Sequence, residues 1–260
     1  VIAHDKEALT KYMQELEDVS PDRPVLIDHY LEQATEVDVD CLSDGETVVL
    51  GGMMEHIEIA GIHSGDSACA LPPPNLPADI KDRIRKHTVD MAKALNVRGL
   101  MNVQFAVRGD DIFVLEVNPR ASRTVPVVSK ATGVPLAKLA SLCMAGFKLK
   151  DMNVTAEPAP RHYSVKEAVF PFNRFPGTAV KLSPEMKSTG EVMGMDNAHG
   201  SAFLKSQVAA GNRIPRSGHA FVRLKDSDEE AAIPPAKWAI KPVLTLQPTR
   251  CTSTASRDAG

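Results

Sequence analysis

The chain has no run of apolar residues approaching the ~20 needed to cross a bilayer as a helix. It has no surplus of positive charge either. Thirty Lys and Arg stand against 33 Asp and Glu, for a net charge of −3, and the basic residues are scattered rather than striped. That removes the electrostatic case for nucleic acid or an anionic membrane as partner. Its four cysteines, Cys41, Cys69, Cys143 and Cys251, form no CxxC pair and no disulfide-like spacing. They read as reduced thiols of a cytoplasmic protein. The N-terminus, Val-Ile-Ala-His, has neither an initiator Met nor a signal peptide, so the chain reads as a piece of a longer protein. What remains is ordinary globular composition, 43% hydrophobic and 24% charged over 260 residues. This is enough to bury a core in one or two domains.

One stretch carries the chemistry. Met101-Asn-Val-Gln-Phe-Ala-Val107 and Ile112-Phe-Val-Leu-Glu-Val-Asn118 both alternate with period 2, and Gly109-Asp-Asp111 between them is turn-forming. The pattern predicts a β-hairpin with Met101, Val103, Phe105 and Val107 on one face and Asn102, Gln104 and Ala106 on the other. In the second strand Phe113, Leu115 and Val117 should share a face opposite Glu116 and Asn118. A three-residue loop would set Arg108 opposite Ile112, hence Gln104 opposite Glu116 and Asn102 opposite Asn118. Opposed Cβ atoms lie ~5 Å apart, so Gln104, Glu116 and Asn118 would converge. Such oxygen ligands suit Mg²⁺ or Mn²⁺. Arg120 and Arg123 follow within a few residues and could hold an anion beside the metal. A plain solvated sheet face accounts for the same residue types, and the pattern alone leaves both readings open.

The phrases GLMNVQFAV and VLEVNPRASRTVPVVSKATGVPLAKLA, with AGIHSGDS upstream, resemble the carbamoyl phosphate synthetase large chain, and within it the second, C-terminal synthetase half. The Glu-x-Asn-x-Arg core is shared more widely among ATP-grasp enzymes such as biotin carboxylase. The resemblance runs from about Val1 to about Leu224. It implies an α+β, ATP-grasp architecture, an antiparallel sheet with packing helices, here lacking the N-terminal part of that fold with its glycine-rich loop. It further implies ATP with Mg²⁺ or Mn²⁺ on Gln104, Glu116 and Asn118. Arg120 and Arg123 would act on carbamate or the transferring phosphoryl group. His29 and Leu31 would sit near the base, Glu36 on the ribose hydroxyls, and Gly61, Ile62, His63 and Ser64 against the nucleotide. A glutaminase small subunit and the rest of the large chain are the implied partners.

The remaining chain reads as follows. Asp5 should cap a helix to about Leu16. Strands are expected at Pro24–Leu31, Thr35–Leu42 and Thr47–Leu50; Gly51-Gly52 and Met53–Ile59 follow with no element assigned. In Thr35–Leu42, Glu36, Asp38 and Asp40 share a face. Three such carboxylates repel unless solvated or paired with cations; a solvated face is the simpler reading, and Asp38 and Asp40 are assigned a structural role. His56, His63 and Asp66 fit no common zinc spacing. A helix is expected over Ala78–Leu95 with Ile80, Ile84, Met91 and Leu95 as its apolar stripe. Thr124–Lys130 reads as irregular. Gly133-Val-Pro135 starts a helix that buries Leu136, Leu139, Ala140 and Cys143 and ends at Gly146. Tyr163–Phe170 is a strand, and Pro184–Gly194 a loop assigned a structural role, with contact to the active site as the alternative.

The organisation expected is an ATP-grasp domain over 1–208, a linker and first strand of a truncated regulatory domain over 209–225, and an unordered tail over 226–260 arising from a truncated or frame-shifted gene end. The expected activity of the parent is ATP-dependent phosphorylation of carbamate, with the piece alone inactive. A biotin-carboxylase-like ligase and a non-catalytic module are the competing readings. EHIEIAGIHSGDSA and KATGVPLAKLASLCMAG weigh against the first.

Overall fold

The computed structural model describes residues 3–19, 25–174, 181–214, 218–222 and 244–248. The chain forms two compact units, Val1–Gly211 and Asn212–Gly260.

In the first unit, helix α1 spans Lys6–Val19, and the Asp5 carboxylate accepts the Ala8 N–H at 2.7 Å as its cap. The expected strand that follows does not form. Residues 25–30 are irregular and exposed. Apolar content alone makes no strand without a ladder to join, and the next strand already has a neighbour on each side.

That strand, β1 (Thr35–Asp44), lies between β2 (Val48–Ile59) and β4 (Arg98–Arg108). With β3 (Cys69–Leu71), β5 (Asp111–Asn118), β6 (Tyr163–Val169) and β7 (Gly190–Asp196) they make a seven-stranded antiparallel sheet in the order β5-β4-β1-β2-β3-β6-β7. β2 runs on through Gly51 and Gly52 to Ile59, past Leu50 where the expected strand ended. The glycines are needed for packing. A Cβ on Gly51 would come 2.8 Å from a Leu136 methyl, and one on Gly52 2.8 Å from Val128.

One face of the sheet presents Val37, Val39, Met53, Val103 and Phe105 to helix α2 (Ala78–Ala94). α2 buries Ile80, Ile84, Thr88 and Ala92, whereas the expected Leu95 is 53% exposed just past its end. The other face divides by position along the strands. At one end Leu42, Met54 and Leu100 pack under helices α3 (Val125–Thr132) and α4 (Leu136–Met144). The other end is polar. α4 buries the four residues expected of it. α3 replaces the irregular segment expected: Pro126 fits its first turn and Gly133, at φ 75°, ends it. The second half of the expected 184–194 loop is β7, and helix α5 (His199–Ala209) lies across it at Gly194, where a Cβ would run into the α5 backbone.

In the second unit, β8 (Gly218–Val222) pairs in parallel with β9 (Leu244–Pro248). β9 thus lies inside the stretch expected to be unordered. The remainder of that stretch lies outside the described residues.

Candidate nucleotide and metal site

The β4–β5 hairpin sets Gln104 opposite Glu116 and Asn102 opposite Asn118, as the alternation requires. The route to this register differs from the expected one. The turn is one residue tighter, with Arg108 opposite Asp111 rather than Ile112, and Phe105 pairs with Val114. A β-bulge at Leu115 restores the count before Glu116. Two faces are thereby corrected. Ile112 packs with Val117 against the α2-side core, whereas Phe113 packs with Ala106, Ala34 and Ala60 on the site side. Leu115, expected in the core, is exposed and lines the site.

Gln104, Glu116 and Asn118 line one cavity of ≈ 460 Å³ with Arg120 and Arg123. Gly61, Ile62, His63 and Ser64 form its opposite wall, and Glu36 lies at its floor. Gln104 Nε2 donates to Ser64 Oγ at 2.9 Å, and Asn118 Nδ2 to Glu116 Oε1 at 2.7 Å. With both amide nitrogens so engaged, carbonyl oxygens and a carboxylate remain, the donor set a hard divalent cation takes. His29 and Leu31 lie apart from this cavity. They line an adjoining apolar groove of ≈ 1080 Å³ with Tyr12 and Met13 of α1. Glu36, Gly61, Leu115 and Pro184 line both spaces, so the two communicate.

The floor is a buried charge network, of which only Glu36 was expected to have a function. Glu36, Asp38 and Asp40 are 7%, 2% and 1% exposed, so the solvated face expected for them is overturned. Neighbouring strands supply their partners. His56 Nε2 sits 3.0 Å from Asp38 Oδ2, and its Nδ1 3.5 Å from Glu36 Oε2. Burial would drive the imidazole neutral, but Cys69 and Asp38 outweigh it and hold its pKa well above the ordinary value. Lys166, fully buried, donates to Ser64 O at 2.9 Å. Its pKa is raised too: burial opposes charge, and Cys69, Glu191 and Asp38 prevail. Glu36 is pushed up by burial, against the lowering effect of His56 and the Gly61 N–H bond.

Asp40 accepts hydrogen bonds from Asn102 Nδ2, Ser122 Oγ and Thr124 Oγ1 at 3.0, 2.7 and 2.6 Å. It thereby anchors the turn that carries Arg120 and Arg123. Burial nonetheless raises its pKa to about 6. Asp38, His56 and Cys69 offer ligand atoms within 4.8 Å of one another, but Lys166 already brings positive charge there. His63 and Asp66 are engaged elsewhere. The one sequence signal for this network was the requirement that three like charges on a strand face find cations. Lys166 gave no signal, because β6 carries polar residues on both faces.

A profile of the family described as "Carbamoyl-phosphate synthase L chain, ATP binding domain" matches residues 1–152, more than half the chain. The chain belongs to that family. It is 58% identical over 236 residues to the carbamoyl phosphate synthase large chain of Neisseria meningitidis serogroup A, covering 91% of this chain and 22% of that protein. It is 54% identical to the Ralstonia nicotianae large chain over 263 residues, covering 100% of this chain and 24% of that one. The chain therefore spans about a fifth to a quarter of the length of these relatives. Among solved structures, the biotin carboxylase domain of a single-chain bacterial carboxylase superposes with a TM-score of 0.53 at 17% identity, over 74% of this chain and 59% of that one. At that identity the likeness speaks to fold alone. The fold is the one expected, an antiparallel sheet with packing helices in a partial ATP-grasp arrangement. Among the described residues no single helix is long and apolar enough to cross a membrane.

Proposed function

We propose that the cavity binds ATP with Mg²⁺ or Mn²⁺. In the full-length protein it would serve the phosphorylation of carbamate to carbamoyl phosphate, within glutamine-dependent synthesis feeding arginine and pyrimidine production. The supporting observation is that Gln104, Glu116 and Asn118 converge on one cavity with Arg120 and Arg123.

Gln104, Glu116 and Asn118 would hold the cation. When bound, it supplies neutralisation of phosphate oxygens. The chain's own residues do the rest. Arg120 and Arg123 hold the anionic acceptor or the transferring group, where preorganised positive charge counts most. Gly61 to Ser64 lie along the nucleotide, Glu36 takes the ribose hydroxyls, and the groove at His29 and Leu31 takes the base. No nucleophilic side chain is required. The reading places the protein in the cytoplasm, with the rest of the large chain and a glutaminase subunit as partners. Turnover belongs to that full assembly rather than to this chain alone. Relatives 54–58% identical favour this reading over a biotin-carboxylase-like ligase.

Calorimetric titration of the chain with MgATP tests the site. Binding should require the metal, and Glu116→Gln should weaken it at least roughly tenfold. In a full-length relative the matching substitution should abolish ATP formation from carbamoyl phosphate and ADP. Metal-independent binding, or binding indifferent to Glu116→Gln, would sink the proposal.

A further inference from the structure

Asp66 is 1% exposed and does not line the cavity. It stands at the end of the loop that does, Gly61 to Gly65, and its carboxylate is turned away toward a segment some 120 residues further along the chain. There it accepts backbone N–H bonds from Lys187 at 3.1 and 2.8 Å and from Ser188 at 2.9 Å. Two more bonds cross the same seam. Ser188 Oγ donates to Gly65 O at 2.9 Å, and His63 N donates to Ser183 O at 3.0 Å. Residues 183–188 thus form a strap laced to the loop along its length, with one buried carboxylate taking most of the bonds.

The strap touches the site at two places. Pro184 stands where the polar cavity meets the apolar groove. Met186 Sδ lies against the Arg123 guanidinium, whose Nε is 3.5 Å from Glu191 just beyond the strap. A ligand with a flat apolar part in the groove and a polyanionic part in the cavity must pass Pro184. The orientation of Arg123 depends on what the strap presents to it.

We infer that Asp66 is a positioning residue: it clasps the 183–188 strap to the 61–65 loop, and so sets both the passage between groove and cavity and the placement of Arg123. The carboxylate suits this role. An ionised acceptor holds backbone N–H groups more strongly than a neutral one, and a side chain between the two segments fixes both at once. The nucleotide part of the inference rests on the function proposed above; the clasp itself does not.

Hydrogen exchange on the 260-residue chain, followed at single amides, tests the clasp directly. In Asp66→Ala the amides of Lys187 and Ser188 should exchange faster. So should His63, whose own amide bonds Ser183 O rather than the Asp66 carboxylate and so reports whether the loop has come free. Amides of β1 and β4 should keep their protection, which separates a released clasp from general unfolding. Asp66→Asn keeps an acceptor oxygen for Ser188 and Lys187 and should give an intermediate result. It also serves where the alanine variant fails to fold. In parallel, MgATP affinity should fall roughly tenfold in Asp66→Ala, the scale of losing hydrogen bonds to a charged group, and recover in part in Asp66→Asn. Unchanged His63 exchange in both variants overturns the inference, as does faster exchange spread evenly through the sheet. A wild-type chain that binds no MgATP refutes the proposed function instead, and the clasp is then judged on exchange alone.

Discussion

Asp40 is a carboxylate with three hydrogen-bond donors whose pKa still lies at about 6. Its native pKa exceeds the ordinary carboxylate value, so between roughly pH 4 and 6 the folded chain binds more protons than the unfolded one. The stability Asp40 contributes is complete below that window and is lost as pH rises through it. Asp40→Asn should remove this dependence while keeping the site's shape. Urea unfolding at pH 4.5 and 7.5 should show wild type losing more stability between the two than the variant, by ~2–3 kcal/mol at most. An equal change in both would refute the assignment. At this scale the sequence was partly legible. Gln104, Glu116 and Asn118 were readable because a two-residue period assigns faces. Asp40's burial was not, because its donors Ser122 and Thr124 are some 80 residues away and reach it only through the turn after β5.

Elements show the same division between local and non-local information. α1, α2 and α4 announce themselves by helical periodicity and end signals. The failed strand at 25–30 and the unexpected α3 do not, since the first depended on finding a sheet edge and the second on the close approach of Val128 over Gly52. The β4–β5 hairpin is the instructive case. A loop one residue too long and an unforeseen bulge offset each other, so the pairing at the site came out as expected while the faces nearer the tip did not. Deleting Leu115 should therefore be tolerated. Val114 and Glu116 would become neighbours in regular alternation, with Gln104 still opposite Glu116. The variant is expected to keep its strand signal in far-ultraviolet circular dichroism and its metal-dependent MgATP binding. Loss of metal dependence would show that the bulge itself shapes the cation site.

For the molecule as a whole, every residue of the proposed site falls within Val1–Gly211, and that unit carries both faces of the sheet with their helices. A chain ending at Gly211 should fold cooperatively and bind MgATP with an affinity within about twofold of the 260-residue chain, because sites with no shared partners act nearly independently. Isothermal titration of the two side by side checks this. A large loss on truncation would assign the second unit a part in the site. Family membership was legible from short phrases around Glu116 and Gly61. The order of the seven strands was not, because β3 finds its outer partner β6 across more than ninety residues of intervening chain.

That long reach has a consequence for how the protein emerges during synthesis. The two strands bearing Gln104, Glu116 and Asn118 are finished by Asn118, yet the loop facing them gains its bonds to the 183–188 strap only when Lys187 and Ser188 are made. A ribosome delivers the N-terminal portion first. For the time taken to translate some seventy further residues, at about 5–20 residues per second, the nascent chain holds a half-built pocket whose far wall is tied to Gln104 and Glu36 but lacks its fastening to the strap. A segment made late in the first unit thus completes the far wall of the proposed nucleotide pocket.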